Sequence, residues 1–410
     1  MKILFVSMVS FENNTSATIQ NKGIIKGLSS IGHEVDILTL RPDPNSFSFD
    51  DSINDIKDVI KDAYYIDIDK KYSALMSKKS MSMTQIENTA KVNILKLIKK
   101  NVRKFLKKIY EHTSIFDAQK INVKGVSNVN IDYSKYDFII SASDPKSSHL
   151  IVEKIIKENK LFKGKYIQYW GDPMYNDITR ESDWRDVLVK HKEKRLLSLA
   201  DKIVYASPLT LKIQKKTYPE LAYKMDYANQ VYINESYEQK GLEKVERVSS
   251  RITVGYFGAY DSSVRNIVPL YNAGKTADFN LNICGATDLS LPSINNVYIH
   301  GMLSYQQAVK MEKESNILIC ICNKRGTQIP GKLYYSTGYQ KPIVVILDSE
   351  YKEELKEYLQ SFKRFILCEN EEGSIKEAIE KAKNQLAKRD FPISKNLTPE
   401  FMAQKILDIN

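Results

Sequence analysis

Residues 296–321 read NVYIHGMLSYQQAVKMEKESNILICI. A short run with alternating β-branched residues reaches a glycine, a polar stretch of helical character follows, and the segment ends in the apolar run NILICIC (316–322). Two parallel strands need a helix-length connection, whereas antiparallel strands need only a tight turn. Strand, turn, helix and strand in this order therefore predict a parallel crossover. The pattern continues on both sides. Upstream lie RITVGYFGA (251–259) and FNLNICG (279–285), and downstream PIVVIL (342–347) and RFILC (364–368). An earlier series has the same character: KILFVS (2–7), EVDILTL (34–40), YDFIISAS (136–143), KYIQYW (165–170) and DKIVYAS (201–207), with helices near 146–159 and 184–199.

Two such series in 410 residues predict an α/β protein with two doubly wound, Rossmann-like domains facing a cleft. The expected layout is a first domain over 1–235 with an insertion at about 41–130, a linker at 236–250, a second domain over 251–395 and a C-terminal helix in 396–410. The polar segment NESYEQKGLEKVERVSS (234–250) has no apolar period and reads as the linker. The Asn-Leu-Thr-Pro sequence before the last helix reads as an N-cap with proline in the first turn.

A hydrophobic content of 42% suits a soluble globular chain, and no run of 18 uncharged apolar residues predicts a membrane span. The opening MKILFVSMVSFENN reads as a buried strand and not as a secretory leader. Cys284, Cys320, Cys322 and Cys368 lack the spacing of a zinc site, so no metal is expected and reduced thiols in a cytoplasmic protein are. The net charge of +11 admits nucleic acid, a membrane surface or an anionic small molecule. Part of it lies in KVNILKLIKKNVRKFLKK (91–108), where Leu95, Ile98, Val102, Phe105 and Ile109 follow helical spacing opposite the lysines. Such an amphipathic basic helix, taken as 91–109, fits an anionic membrane surface, or a helix packed with a solvated lysine face. No nucleic-acid-binding motif accompanies it.

In open α/β sheets ligands bind beyond the carboxyl ends of strands, so functional residues are expected in the loops there. Asp144 and His149 follow one strand, and Trp170, Asp172 and Asp177 follow the next. Asp172 is the first candidate for a general base and Asp144 the second. Asp-Pro in both places is also ordinary turn chemistry. Trp170 is a candidate for stacking on a sugar. Asn13, Asn14, Thr15 and Ser16 form the first strand's loop, and His33 reads as structural. In QIPGKLYYSTGYQKPIVV (328–345) a Pro-Gly-Lys turn presents a lysine to an anion or simply begins a helix.

In order, KILFVS with GHEVDILTL (32–40), RLLSLADKIVYAS (195–207), ITVGYFGAYDSSVRN (252–266), NVYIHGMLSYQQAVKMEKESNILICI and the 328–345 stretch resemble the GT-B glycosyltransferases. The resemblance is closest to the bacterial family-four type that builds surface polysaccharides, and it covers nearly the whole chain. It implies a sugar transferase acting on a glycan or lipid-linked acceptor, at the inner face of the cell membrane. The donor would be a nucleotide-diphosphate sugar, with no further cofactor. It assigns Arg265, after Gly258, and Lys332, after Gly331, to the diphosphate, and it puts Gln328 and Tyr335 in the donor loop and helix. The family's two glutamates fall on Thr327 and Tyr335, which are not carboxylates. That departure leaves open a binding or scaffold protein of the same fold and, less strongly, a nucleotide-sugar epimerase.

Overall fold

A computed structural model describes all residues except 47, 51–54, 71, 73–113, 159–160, 179, 233–250, 387–390, 392–393 and 410. The basic stretch 91–109 and the expected linker 236–250 thus lie outside the described residues. Two compact units emerge. One comprises residues 1–21, 33–175 and 180–203, the other 22–32, 176–179 and 204–410.

The first sheet has seven strands: β1 (Lys2–Ser7), β2 (Glu34–Leu40), β3 (Ala63–Ile66), β4 (Phe138–Ala142), β5 (Lys165–Trp170), β6 (Lys202–Tyr205) and β7 (Met225–Tyr227). Their order is β3-β2-β1-β4-β5-β6-β7, and the pairings of β1 with β2 and β4, β2 with β3, and β4 with β5 are parallel. β1 and β5 bury five of six residues each, as strands covered on both faces must. Helices α1 (Ser16–Ser30), α2 (Ser147–Glu158), α3 (Asp186–Ser198) and α4 (Pro208–Thr217) make the crossovers. β3 arises inside the stretch 41–130, so part of the expected insertion belongs to the sheet.

The second sheet contains β8 (Ile252–Phe257), β9 (Phe279–Cys284), β10 (Val297–Gly301), β11 (Ile317–Ile321), β12 (Ile343–Leu347) and β13 (Ile366–Glu369). Its order is β10-β9-β8-β11-β12-β13 and every pairing is parallel. The helices are α5 (Val268–Lys275), α6 (Tyr305–Glu314), α7 (Gly331–Tyr335), α8 (Lys352–Gln360), α9 (Glu372–Leu386) and α10 (Pro399–Leu407). Leu270 and Tyr271 of α5 and Ile375, Ala378 and Ile379 of α9 join Val254, Leu281, Ile319 and Val344 of the sheet in one buried core. α10 starts as its sequence predicts, with Thr398 Oγ1 accepting from the Phe401 amide (3.3 Å) and proline in the first turn.

Both sheets therefore have the doubly wound strand order 3-2-1-4-5-6, with the first extended by β7. The order reverses between β1 and β4 in one and between β8 and β11 in the other. Crossovers leave a reversal point in opposite directions, which opens a crevice beyond the strand ends there.

Candidate functional site

In the second unit the reversal point brings together residues that are far apart in sequence. Gly258 follows β8, and its amide donates to the Cys284 carbonyl at the end of β9 (2.9 Å). Gly285 sits against it at φ +148°, where an added Cβ would overlap the Gly258 carbonyl oxygen. Only glycine serves at such a backbone approach. Beyond Gly258, Arg265 donates through Nη1 to the Ala259 carbonyl (2.7 Å) and through Nε to Asn323 Oδ1 (2.9 Å). Asn323, just past β11, donates in turn to the Gln328 carbonyl (2.9 Å). The sequence reading missed Asn323, although the rule about strand ends points to it. It ties the loop after β8 to the loop after β11 and sets the plane of the guanidinium. Lys324 binds the same two loops together, through its amide to the Val264 carbonyl (2.8 Å) and its Nζ to that of Ser262 (2.7 Å).

Gln328 donates to the Asn176 carbonyl (3.4 Å), while its Oε1 is buried without a hydrogen bond. Gly331 owes its size to packing: a Cβ there would lie 2.6 Å from Gln230 Oε1 and 2.9 Å from the Tyr335 ring. Tyr335 and Tyr334 are both buried. Tyr334 Oη meets Tyr358 Oη at 3.2 Å, so Tyr334 is a core residue.

Lys332 pairs with Glu312, a residue of α6 that sequence reasoning did not pick out. The Glu312 side chain is 5% exposed and that of Lys332 32%. Glu312 also accepts from Tyr339 Oη (2.8 Å), and Lys341 Nζ donates to its carbonyl (2.7 Å). Burial lowers the Lys341 ammonium to about 8. The pair's field reaches the strand ends: burial chiefly raises Cys284 and Cys320 to about 12, with Glu312 adding to the shift and Lys332 opposing it. Thr327, at one family glutamate position, is buried and hydrogen-bonded to Thr210 Oγ1 (2.9 Å). Neither Thr327 nor Tyr335 offers a carboxylate, and both side chains are enclosed.

In the first unit the two acid-bearing loops adjoin. The Gly171 amide donates to Ser143 Oγ (3.1 Å), so Asp172 and Asp144 each stand one residue beyond a bonded pair. Asp144 forms an ion pair with Lys146 (2.9 Å), and Asp172 is half-buried. Glu193, buried on α3, receives the amides of Met174 (2.7 Å) and Tyr175 (3.0 Å) and so holds the Asp172 loop. Trp170 corrects the expectation that it stacks on a sugar. It is fully buried, its ring lies on His149 (4.0 Å between centroids), and its Nε1 donates to Gln168 (3.0 Å). His149 is also fully buried, with Nδ1 2.7 Å from Ser141 Oγ; burial first, then Lys146, lowers its pKa to about 3. It is neutral and structural. Among the first-loop residues, Thr15 Oγ1 bonds Thr18 (2.9 Å) at the start of α1.

No family model matches the chain, and no curated protein matches it. Solved structures do. A glycosyltransferase from Rickettsia africae is similar at 13% identity with a TM-score of 0.53, over 100% of this chain and 97% of that one. The N-terminal domain of Candida albicans trehalose-6-phosphate phosphatase is similar at 10% identity and 0.57, over 100% and 96%. An alpha-glucosyltransferase in complex with UDP and a 13-mer DNA is similar at 11% and 0.53, over 100% and 95%. The chain has the GT-B fold, with two parallel, Rossmann-like sheets, as its sequence predicted.

Proposed function

We propose that the protein is a glycosyltransferase that takes a sugar from a nucleotide-diphosphate donor on the second unit and transfers it to a glycan or lipid-linked acceptor. The observation that carries this reading is the meeting of Gly258, Arg265, Asn323 and Gln328 at the reversal point of the second sheet. As the anomeric bond breaks, the diphosphate leaving group keeps the bonding electron pair and gains one negative charge, and a braced guanidinium meets it bidentately. Lys332 supplies a second cation once its ammonium turns from Glu312 to the phosphates. The acceptor hydroxyl gives its proton to a carboxylate of the first unit, Asp172 in the first instance and Asp144 in the second. UDP is the first nucleotide to try, since a protein of the same fold has been crystallised with it. The acid-free basic stretch 91–109 supports a station on the inner membrane surface, where lipid-linked acceptors are held.

A second reading is a nucleotide-binding scaffold of the same fold without turnover. It is favoured by the enclosed, uncharged side chains of Thr327 and Tyr335. Thermal shifts with UDP, GDP, ADP, CDP and dTDP test the donor site in the wild type, Arg265→Ala and Lys332→Ala. A ligand at 100 times its dissociation constant stabilises by about 2.7 kcal/mol. One nucleotide that stabilises the wild type and neither variant supports the site. Hydrolysis or transfer of the corresponding sugar then separates enzyme from scaffold, and no response to any nucleotide rejects the donor site.

A further inference from the structure

Arg364 is 6% exposed and stands just before β13, at the amino end of the second sheet. The loops that carry Gly258 and Asn323 lie beyond the carboxyl end, roughly 16 Å away along a five-residue strand such as β12. Arg364 Nη2 donates to the carbonyls of Tyr339 (2.7 Å) and Lys341 (3.0 Å), and the guanidinium lies 5.3 Å from the centre of the Phe391 ring. A guanidinium has five N–H donors, and those on Nη2 are taken by the two carbonyls. Nε and Nη1 are buried and have no hydrogen bond. Burial is the one influence on its pKa, lowering it to about 10, so the group is charged at neutral pH.

Elsewhere buried charges are met. Arg185 is held by Asp183, Asp36 accepts from Tyr136 Oη (2.6 Å) and the Asp62 amide (3.1 Å), Glu193 receives two amides, and Glu312 has Lys332 and Tyr339. No carboxylate among the described residues pairs with Arg364. The charge beside it has the same sign: Lys341 Nζ donates to the carbonyls of Glu312 (2.7 Å) and Lys313, and Lys363 is exposed next in sequence. A buried cation without a counter-charge is costly, and an arginine does not escape the cost by losing its proton. Donors on two different nitrogens suit an anion with several oxygen acceptors. The enclosure leaves no opening for an organic stem, so the anion is small.

We infer that Arg364 is the centre of a binding site for a small inorganic oxyanion, phosphate or sulfate, at the end of the second sheet opposite the donor loops. The inference does not rest on the glycosyltransferase reading and stands whether or not a nucleotide binds.

Urea unfolding midpoints of the full chain are measured with phosphate, sulfate or chloride at one ionic strength, for wild type, Arg265→Ala, Arg364→Lys and Arg364→Met. Phosphate and sulfate strengthen burial in any protein, so the site is read as the part of the rise that saturates. That part is expected in wild type and in Arg265→Ala, which excludes the donor crevice as its source, and it is lost in both Arg364 variants. Arg364→Lys keeps a positive charge for the two carbonyls while removing the Nε and Nη1 donors. Crystals of the wild type soaked in selenate, a heavy analogue of sulfate, read the site without any variant. The anomalous signal is expected within hydrogen-bond distance of Arg364 Nε or Nη1, and its absence there would overturn the inference. So would a saturating rise that is equal in wild type and the Arg364 variants. A wild-type midpoint that ignores oxyanions but falls in Asp390→Asn would also overturn it, because the chain then supplies the counter-charge from the residue next to Phe391 in sequence.

Discussion

Replacing Lys332 with alanine separates two roles that the structure gives this lysine. Glu312 is nearly sealed from water and holds two side-chain donors, Lys332 and Tyr339 Oη. Lys332→Ala leaves its charge with only the phenol. Removing one partner of a fully buried pair costs about 3–5 kcal/mol, and the third of Lys332 that is open to water reduces this to about 2–3 kcal/mol. Glu312→Gln keeps an acceptor for Tyr339 and leaves the ammonium near solvent, at about 1 kcal/mol. With both changes made, no buried charge remains, and the cost falls short of the sum by about 1–2 kcal/mol. Urea unfolding of the four proteins, followed by far-ultraviolet dichroism, measures the cycle. If Lys332→Ala costs under about 0.5 kcal/mol, or costs the same in the Glu312→Gln background, the pair carries no stability and the reasoning fails.

The same proteins distinguish bracing from ligand contact. A lysine that touches the diphosphate contributes a charged hydrogen bond of about 1.5–3 kcal/mol, so Lys332→Ala should weaken nucleotide binding about tenfold to a hundredfold. Glu312→Gln releases that ammonium and should leave affinity unchanged or higher. A fall in affinity in Glu312→Gln as large as that in Lys332→Ala would mean that Lys332 serves only to hold the loop.

Gly285→Ala pushes a methyl group into the Gly258 carbonyl at φ +148°, so it should destabilise by about 3 kcal/mol and loosen any nucleotide held by the Gly258 loop; urea midpoints and titration calorimetry read the two effects. His149 is neutral in both states above its unfolded pKa of about 6.5, and as pH falls below this the unfolded chain takes a proton that the native chain refuses until about 3. That stability is lost on acidification, about 2 kcal/mol by pH 5, and comparing His149→Gln with wild type across this range should show the variant lacking that part of the slope. The thiols of Cys284, Cys320, Cys322 and Cys368, all raised to about 12 chiefly by burial, should react with a disulfide reagent at pH 8 only as the chain opens, Cys368 first because it is the least buried. One fast thiol among the other three in the native protein would contradict this packing.

The sequence discloses the strands where burial is two-sided. KILFVS, EVDILTL and KYIQYW match β1, β2 and β5 residue for residue, because an apolar run of that length has no other stable place in an α/β chain. AYYI and MDY do not announce β3 and β7. They are short, lie toward the sheet edges, and bury too little to leave a pattern. The site divides similarly. Loops after strands are visible in a sequence, so Asp144 and Asp172 stood out, while Gly258 and Arg265 were singled out by the resemblance to the GT-B family. Asn323 and Glu312 matter through what they reach in space, and Arg265 lies 58 residues from its partner. Trp170 misled because a residue at a strand's last position can point into the core as readily as toward a ligand.

Glu193 lies within α3 and accepts two consecutive amides from the loop that carries Asp172. One carboxylate thus fixes two neighbouring peptide planes, so the path of that loop is set by a helix and not by the side chains of the loop itself. Substitutions within the loop would then alter its chemistry without moving its backbone, whereas any slide of α3 along its axis would carry the loop with it.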